Sequence, residues 1–303
     1  MTVDMTARAA RLPEPGESVR AIDFTMGPAG KGAHQAIMSA RMGAPTALVG
    51  ARGDDQPGEL VCTTLARENI DPNNLRVVGL GTGIGHIQTD AHGLNRVISV
   101  ARANSALTPE IVLDHRALIN AAAVVVGQLV VPLDATMAAF SLAASCGAIT
   151  ILNPAPASDL DDSLYRLVDV LIPNETEAAS LTGVDTITLK GAVSAARALL
   201  KRGPALVVIT LGARGALAVT KHRALEVGAY CVDSVDSTAA GDAFCGAFAA
   251  AVALDMGLKS ALTLASAAGA LATTRLGGVA SLATREEISR LVRSDPLVIT
   301  ELH

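Results

Sequence analysis

Hydrophobic and polar positions follow two patterns, which change near residue 121. Beyond it, short apolar runs rich in β-branched residues alternate with longer segments of helical period. Ala123–Leu129 reads as a buried strand, Leu133–Cys146 as a helix, and Ala148–Leu152 as a strand stopped by Asn153-Pro154-Ala155-Pro156. Val168–Ile172 is another strand, stopped by Pro173. Glu175–Leu181 opens a short helix, Gly191–Arg202 makes a longer one, and Ala205–Thr210 is a strand ending in a Gly-rich turn. Strands that are apolar throughout and joined by helices predict a parallel sheet covered on both faces. Ser18–Met26 and Gly85–Ala101 instead alternate apolar and polar residues, with His92-Gly93 as a turn inside the second. That period of two predicts strands with one solvated face, hence a small antiparallel lid over a doubly wound core. No tandem repeat or low-complexity linker divides the sequence. Residues 1–303 therefore read as one α/β domain with lid segments at about 10–26 and 80–101.

Composition narrows the function classes. The 303 residues are 50% hydrophobic and 17% charged, enough for a substantial core. A net charge of -5 gives no footprint for nucleic acid or an anionic membrane. With no Trp, two Tyr and four Phe, base-stacking platforms are not expected. Mean hydropathy is +0.41, yet Gly, Pro or charge breaks every apolar run, so no run suits a bilayer span. The N-terminus shows no signal-peptide apolar region, and a cytoplasmic location is expected. Cys62, Cys146, Cys231 and Cys245 lie far apart without a CxxC pair, and the six histidines form no HExxH. Free thiols in a reducing compartment are the expectation, not a metal cluster.

The most informative run is Asp236-Ser237-Thr238-Ala239-Ala240-Gly241-Asp242-Ala243-Phe244. A turn of small residues enters an apolar helix with an acid in its first turn. Helix starts present unpaired N–H groups and the positive end of the helix dipole. Small residues let an anion approach them, and Asp242 beside it can accept a proton. An anion cradle next to a base suits phosphoryl transfer to a hydroxyl. Other segments are weaker alone. Gly27-Pro28-Ala29-Gly30-Lys31-Gly32-Ala33-His34-Gln35 lacks P-loop spacing, and Gly79–Gly85 is not a dinucleotide fingerprint. Asn174-Glu175-Thr176-Glu177 reads as a helix cap, or as a polar pair near hydrated magnesium and phosphate. Thr210–Gly215 reads as a tight hairpin, or as a backbone ledge for a nucleotide at a strand's carboxyl end.

Taken in order, the Gly-Lys-Gly loop, the Asn-Pro-Ala-Pro turn, the Asn174 helix start, the Thr-Leu-Gly-Ala-Arg-Gly turn and the Asp236–Phe248 run resemble the ribokinase-like (PfkB) family of carbohydrate kinases. The resemblance covers nearly the whole chain, and Pro13–Glu17 looks like the family's lid entry. It implies a ribokinase-like fold and ATP-dependent phosphorylation of a hydroxyl on a small sugar or polyol. It makes Asp242 the base, and the N–H groups of Ala239, Ala240 and Gly241 the anion hole. Asp4, Gly30, Lys31 and His34 match substrate-binding positions. Asn174 and Glu177 would lie near Mg2+ and the phosphates; Thr210, Gly212, Gly215 and Ser266 near the nucleotide. Asp236, Thr238, Ala272, Arg275, Gly277 and Ser281 match a monovalent-cation loop, with K+ as the ion. The family also implies a homodimer formed through the lid.

The acceptor end departs from the family pattern. Thr2 and His34 each stand where Asn is usual, Val130 where ribokinases carry Glu after Gln-Leu, and Arg102 where Gly is usual. The family's first core strand is missing ahead of Thr2, which points to a start at an internal residue or a compromised fold, with an exposed sheet edge. Losing a carboxylate built for sugar hydroxyls alters acceptor choice. A nucleoside kinase of the same family and a catalytically impaired nucleotide- or sugar-binding regulator stay open beside the sugar kinase. A nicotinamide oxidoreductase is disfavoured, because its fingerprint is absent.

Overall fold

The computed structural model describes residues 1–90 and 95–302; the expected His92-Gly93 turn lies outside them. Thirteen strands are described: β1 (Thr2–Ala9), β2 (Ala21–Ala29), β3 (Gly50–Gly53), β4 (Leu75–Val78), β5 (Gly83–Thr89), β6 (Asn95–Val100), β7 (Val124–Gln128), β8 (Ile149–Asn153), β9 (Val170–Leu171), β10 (Leu206–Thr210), β11 (Ala216–Thr220), β12 (Ala224–Val227) and β13 (Ile299–Leu302). The central sheet has seven strands in the order β13-β12-β11-β10-β9-β8-β7. From β7 to β10 the pairing is parallel, through helical crossovers; from β10 to β13 it is antiparallel. β3 and β4 form a separate parallel pair.

Period-two alternation divides the core between the faces of this sheet. Leu152, Leu171, Val207, Ile209, Leu217 and Val219 bury against helices Glu175–Thr182 and Leu189–Leu200. Ile151, Val170, Ile172, Val208, Ala216 and Ala218 bury on the other side, against helices Ala240–Ala253 and Leu258–Ala272. Each fully buried Leu or Ile contributes roughly 1.5–3 kcal/mol of transfer free energy, so these two layers hold the sheet. Caps set the helix ends. Thr188 Oγ1 accepts from Gly191 N at 3.1 Å and starts its helix at Leu189, two residues before the expected Gly191. Gly183, at φ +70, stops the helix begun at Glu175.

The lid is a four-stranded sheet in the order β2-β1-β5-β6. It contains Thr2–Ala9, which lies outside the lid segments expected from sequence, whereas residues 10–20 carry no strand. The signal was present: Thr2, Asp4, Thr6 and Arg8 alternate with Val3, Met5, Ala7 and Ala9. Ile22, Phe24 and Met26 of β2 are exposed, as are Val97, Ile98 and Val100 of β6. Arg102 closes the lid's return at φ +45, a left-handed backbone that favours the Gly expected there. Its guanidinium donates to Thr82 O at 3.1 Å and occupies the space where a side chain on Gly81 would stand.

Candidate active site

Two helix starts and the carboxyl ends of β7, β8 and β10 meet at one place. Gly30, at φ +100, precedes the helix Lys31–Arg41; a Cβ there would sit 2.9 Å from Thr2 N, so only glycine lets the chain start pass. The helix Ala240–Ala253 crosses this one at Gly246, where a Cβ would lie 2.5 Å from Gln35 O. Ser39 Oγ donates to Gly246 O at 2.8 Å and holds the crossing. The close approach delivers His34 and Gln35 to Asp242.

Asp242 is 7% exposed, and both its oxygens accept hydrogen bonds. Gln35 Nε2 donates to Oδ1 at 2.9 Å, and His34 Nδ1 lies 3.0 Å from Oδ2. Gln35 Nε2 is shared with Asn153 Oδ1 at 3.2 Å, Gln128 Nε2 donates to Gln35 Oε1 at 2.7 Å, and Asn153 Nδ2 donates to Ile172 O at 2.8 Å. A network through three strand ends therefore fixes the carboxylate, while each oxygen keeps lone-pair capacity for a proton. Gln35, Gln128 and Asn153 are the functional residues that the sequence did not reveal. All three stood in quoted segments, but only the fold shows that they converge. His34 Nε2 is buried without a hydrogen-bond partner, 2.4 Å from where a Cβ on Gly278 would be.

Ala239 caps the helix at φ +62 and ψ 3, a left-handed conformation costing an L-residue about 1–2 kcal/mol. The Gly241 and Asp242 N–H groups, in the first turn, have no intrahelical acceptor by position. The Ala240 amide is engaged, donating to Ser237 O at 3.2 Å. A β-branched side chain tolerates this φ poorly. Ala239→Val is expected to lower both Tm and kcat, measured by thermal melt and phosphoryl-transfer assay.

Lys31, Asn174, Glu177, Thr210, Gly241 and Asp242 line one cleft of about 50 Å³. Asn174 and Glu177 form a complete capping box: Asn174 Oδ1 accepts from Glu177 N at 2.7 Å, and Glu177 Oε2 accepts from Asn174 N at 2.8 Å. The cap and the cleft use the same two residues. Burial pushes the Glu177 carboxyl above the ordinary range, against the Asn174 bond and Lys31, while Asp242 adds to the rise. Thr210 N donates to Pro173 O at 3.0 Å, which draws the β10 end beside Asn174. Gly212 and Gly215 shape the hairpin that follows; a Cβ on Gly215 would lie 2.0 Å from Val227 O. Ser266 sits on the helix Leu258–Ala272 with its Oγ buried and without a hydrogen-bond partner.

Asp4 lies on β1, where a Cβ on Gly85 would stand 2.3 Å from its Oδ1. Burial raises its carboxyl, and neighbouring His34 and Thr2 oppose the rise. Asp236 clips two loops together: Oδ1 accepts from Thr238 N at 2.9 Å and Oδ2 from Gly277 N at 3.0 Å. Burial works against its ionisation, but these bonds outweigh it and hold the carboxyl below the usual range. Arg275 pairs with Glu287, and Ser281 Oγ donates to Gly278 O at 2.8 Å. Ala272 ends its helix beside this loop. Cys245 lines the cleft but is 1% exposed, and burial, with Asp242, pushes its thiol far up. Thiol reagents are expected to label exposed Cys146 and Cys231 and to spare Cys245, as read by peptide mass mapping.

Comparison with known proteins places this geometry. Residues 1–285 match the pfkB family carbohydrate kinase profile. The chain is 35% identical to a ribokinase of Haemophilus influenzae over 90% of each chain. It is 32% identical to a deoxyribokinase of Salmonella typhi, covering 82% of this chain and 81% of the other. A solved ribokinase of Arabidopsis thaliana complexed with ribose and ATP superposes with a TM-score of 0.91 at 28% identity, over 96% of each chain. No described helix is long and apolar enough to cross a membrane. The anion-directed helix start, the buried carboxylate beside it and the whole-chain match are one finding: the chain belongs to the pfkB family of carbohydrate kinases and is a sugar kinase.

Proposed function

We propose that the protein transfers the γ-phosphoryl group of ATP to a hydroxyl of a ribose-like pentose, with Asp242 as the base. The observation that carries this is Asp242, buried in the first turn of the helix Ala240–Ala253 and sharing one cleft with Lys31 and Glu177. The names of its relatives, ribokinase and deoxyribokinase, support a pentose acceptor. In the proposed step, Asp242 takes the hydroxyl proton as that oxygen bonds to the γ-phosphorus, and the bond to the β,γ-bridging oxygen breaks to release ADP. The Ala239 and Gly241 amides, with the helix dipole, stabilise charge on the transferring group, and Lys31 adds a cation from across the cleft. Asp4, Gly30 and His34 hold the sugar; Thr210, Gly212, Gly215 and Ser266 flank the nucleotide.

Magnesium fits the donor set. Among the described residues no cluster of three His, Cys, Asp or Glu could hold a metal ion, and the cleft offers oxygen donors from Asn174 and Glu177. Mg2+ is commonly held by one or two carboxylates, water and substrate phosphates, where it neutralises phosphate charge. The Asp236 clip joins the loops that carry Thr238, Arg275, Gly277 and Ser281, which supports a K+ site there. Replacing K+ by choline is expected to lower kcat, read in the same assay. The exposed apolar strands of the lid support a homodimer, and light scattering measures it. A cytoplasmic location completes the reading.

An ADP-release assay over D-ribose, 2-deoxy-D-ribose, hexoses and nucleosides tests the acceptor. A pentose should give the highest kcat/KM. Preference for a nucleoside would replace this reading with the nucleoside kinase. Nucleotide binding without turnover on any acceptor would establish the regulator instead.

A further inference from the structure

His34 stands in the first turn of the helix Lys31–Arg41 and is 4% exposed. Its backbone N–H donates to Gly30 O at 3.0 Å, and its ring reaches across to the helix Ala240–Ala253. An ionised carboxylate only accepts, so the 3.0 Å contact between Nδ1 and Asp242 Oδ2 places a ring hydrogen on Nδ1. The opposite nitrogen, Nε2, is buried and has no hydrogen-bond partner among the described residues. One side of the imidazole is therefore held by a hydrogen bond, and the other side is held by packing alone.

That packing surface is the backbone of Gly278. A Cβ there would stand 2.4 Å from His34 Nε2 and 2.9 Å from Cε1. Gly278 has φ -77, outside the left-handed region that favours glycine, so its missing side chain matters for space. The glycine is itself anchored. Its carbonyl accepts from Ser281 N at 3.1 Å and from Ser281 Oγ at 2.8 Å, and the preceding Gly277 N donates to Asp236 Oδ2 at 3.0 Å. The other oxygen of Asp236 accepts from Thr238 N at 2.9 Å, at the turn from which the helix carrying Asp242 starts. Of the two sides of this contact the ring is the softer. A methyl group on Gly278 is relieved by swinging the imidazole, and that swing breaks its bond to Asp242.

We propose that His34 is a positioning residue for the base and that Gly278 is its seat, an inference that rests on the reading of Asp242 as the base. Gln35 on Oδ1 and His34 on Oδ2 hold the carboxylate at both oxygens and stop its rotation about the Cβ–Cγ bond. Their supports differ. Gln35 hangs in the polar network with Gln128 and Asn153, whereas His34 leans on the Gly278 loop. Turnover therefore depends on a glycine that does not line the cleft. This role is additional to contact with the sugar, and kinetics separate the two.

The test is steady-state kinetics with ATP and the best sugar of the panel. His34→Leu should lower kcat by about 10- to 100-fold, the range for a lost hydrogen bond to a charged group. A rise in KM with kcat intact would make His34 a sugar contact alone and overturn the proposal. His34→Asn carries an N–H donor on the same branch as Nδ1, so it should recover much of the kcat lost in His34→Leu. Equal kcat in these two variants overturns the proposal. In the Asp242→Asn background His34→Leu should cost little more, because it acts through the carboxylate. Losses that multiply would overturn the positioning role and leave the base standing, whereas full activity in Asp242→Asn alone would remove the base and this inference with it. Gly278→Ala should lower kcat in the parent chain and not in the His34→Asn variant, whose side chain lacks Nε2 and Cε1. An equal loss in both would overturn the seat. Ring 15N shifts should show a hydrogen on His34 Nδ1, and a bare Nδ1 would overturn the donor role. Should His34→Leu fail to fold, the Gly278→Ala pair and the ring shifts decide.

Discussion

Asp242→Asn should reduce kcat on the best sugar by about 10²–10⁴-fold, the range for loss of a general base. The amide keeps the size of the carboxylate and can still accept from Gln35, so Tm and nucleotide affinity should change little. The side chain is buried and anchored through Gln35 to Gln128 and Asn153, so the substitution tests proton acceptance and leaves the network standing. Steady-state kinetics beside a thermal melt and calorimetric nucleotide titration separate these effects. Full activity in the variant would remove Asp242 from the role of base. A loss of kcat with an equal collapse of Tm would mean that the carboxylate matters for folding rather than for proton transfer.

Gly246→Ala should damage stability and catalysis together, although the residue touches no substrate. In an exposed helix interior this change gains up to about 1 kcal/mol from helix propensity. Here the added Cβ would meet Gln35 O at 2.5 Å and Met38 Cβ at 2.7 Å, and the first of these is backbone, which cannot rotate aside. Overpacking of this kind typically costs about 1–3 kcal/mol, so the clash outweighs the propensity gain. Relief comes by moving the helix Lys31–Arg41 away from the helix Ala240–Ala253. That shift withdraws Gln35 and His34 from Asp242 and widens the cleft at Lys31. Tm should fall and kcat/KM should drop by about ten-fold for each 1.4 kcal/mol of lost transition-state positioning. A variant with lower Tm and unchanged kcat/KM would show that the crossing serves stability alone.

The alternating layers were legible because each core strand from Val124 to Thr210 is a continuous apolar run between helices, with stops set by Pro, Gly and capping residues. The helix Leu133–Cys146 keeps the limits read from sequence, and β7, β8 and β10 lie within a residue of theirs. β9 shrinks to Val170–Leu171 because ladder pairing, not apolar character, sets strand length. The lid strand Thr2–Ala9 alternates as regularly, but its place in the lid is set by pairing with β2 and the distant β5, which no local pattern displays. In the site, motif positions were legible one at a time. The Asn174–Glu177 pair illustrates the limit: as sequence it read first as a cap, with a site as the alternative, and the structure makes it a capping box that also lines the cleft.

By itself the sequence determined what depends on local order: the α/β alternation, the small-residue turn before an acid at Asp242, and the family those segments mark. Tertiary structure alone decided which distant groups share a site. Asn153 and Asp242 lie 118 and 207 positions from Gln35, and no local pattern relates the three. Their meeting depends on a helix crossing close enough to exclude a methyl group at Gly246 and on strands ending at a common edge. The same holds for β7, which ends the sheet and, among the described residues, pairs with β8 alone. An unpaired edge is a property of the sheet's neighbours, and the run Val124–Val126 reads the same whether or not a strand lies beside it.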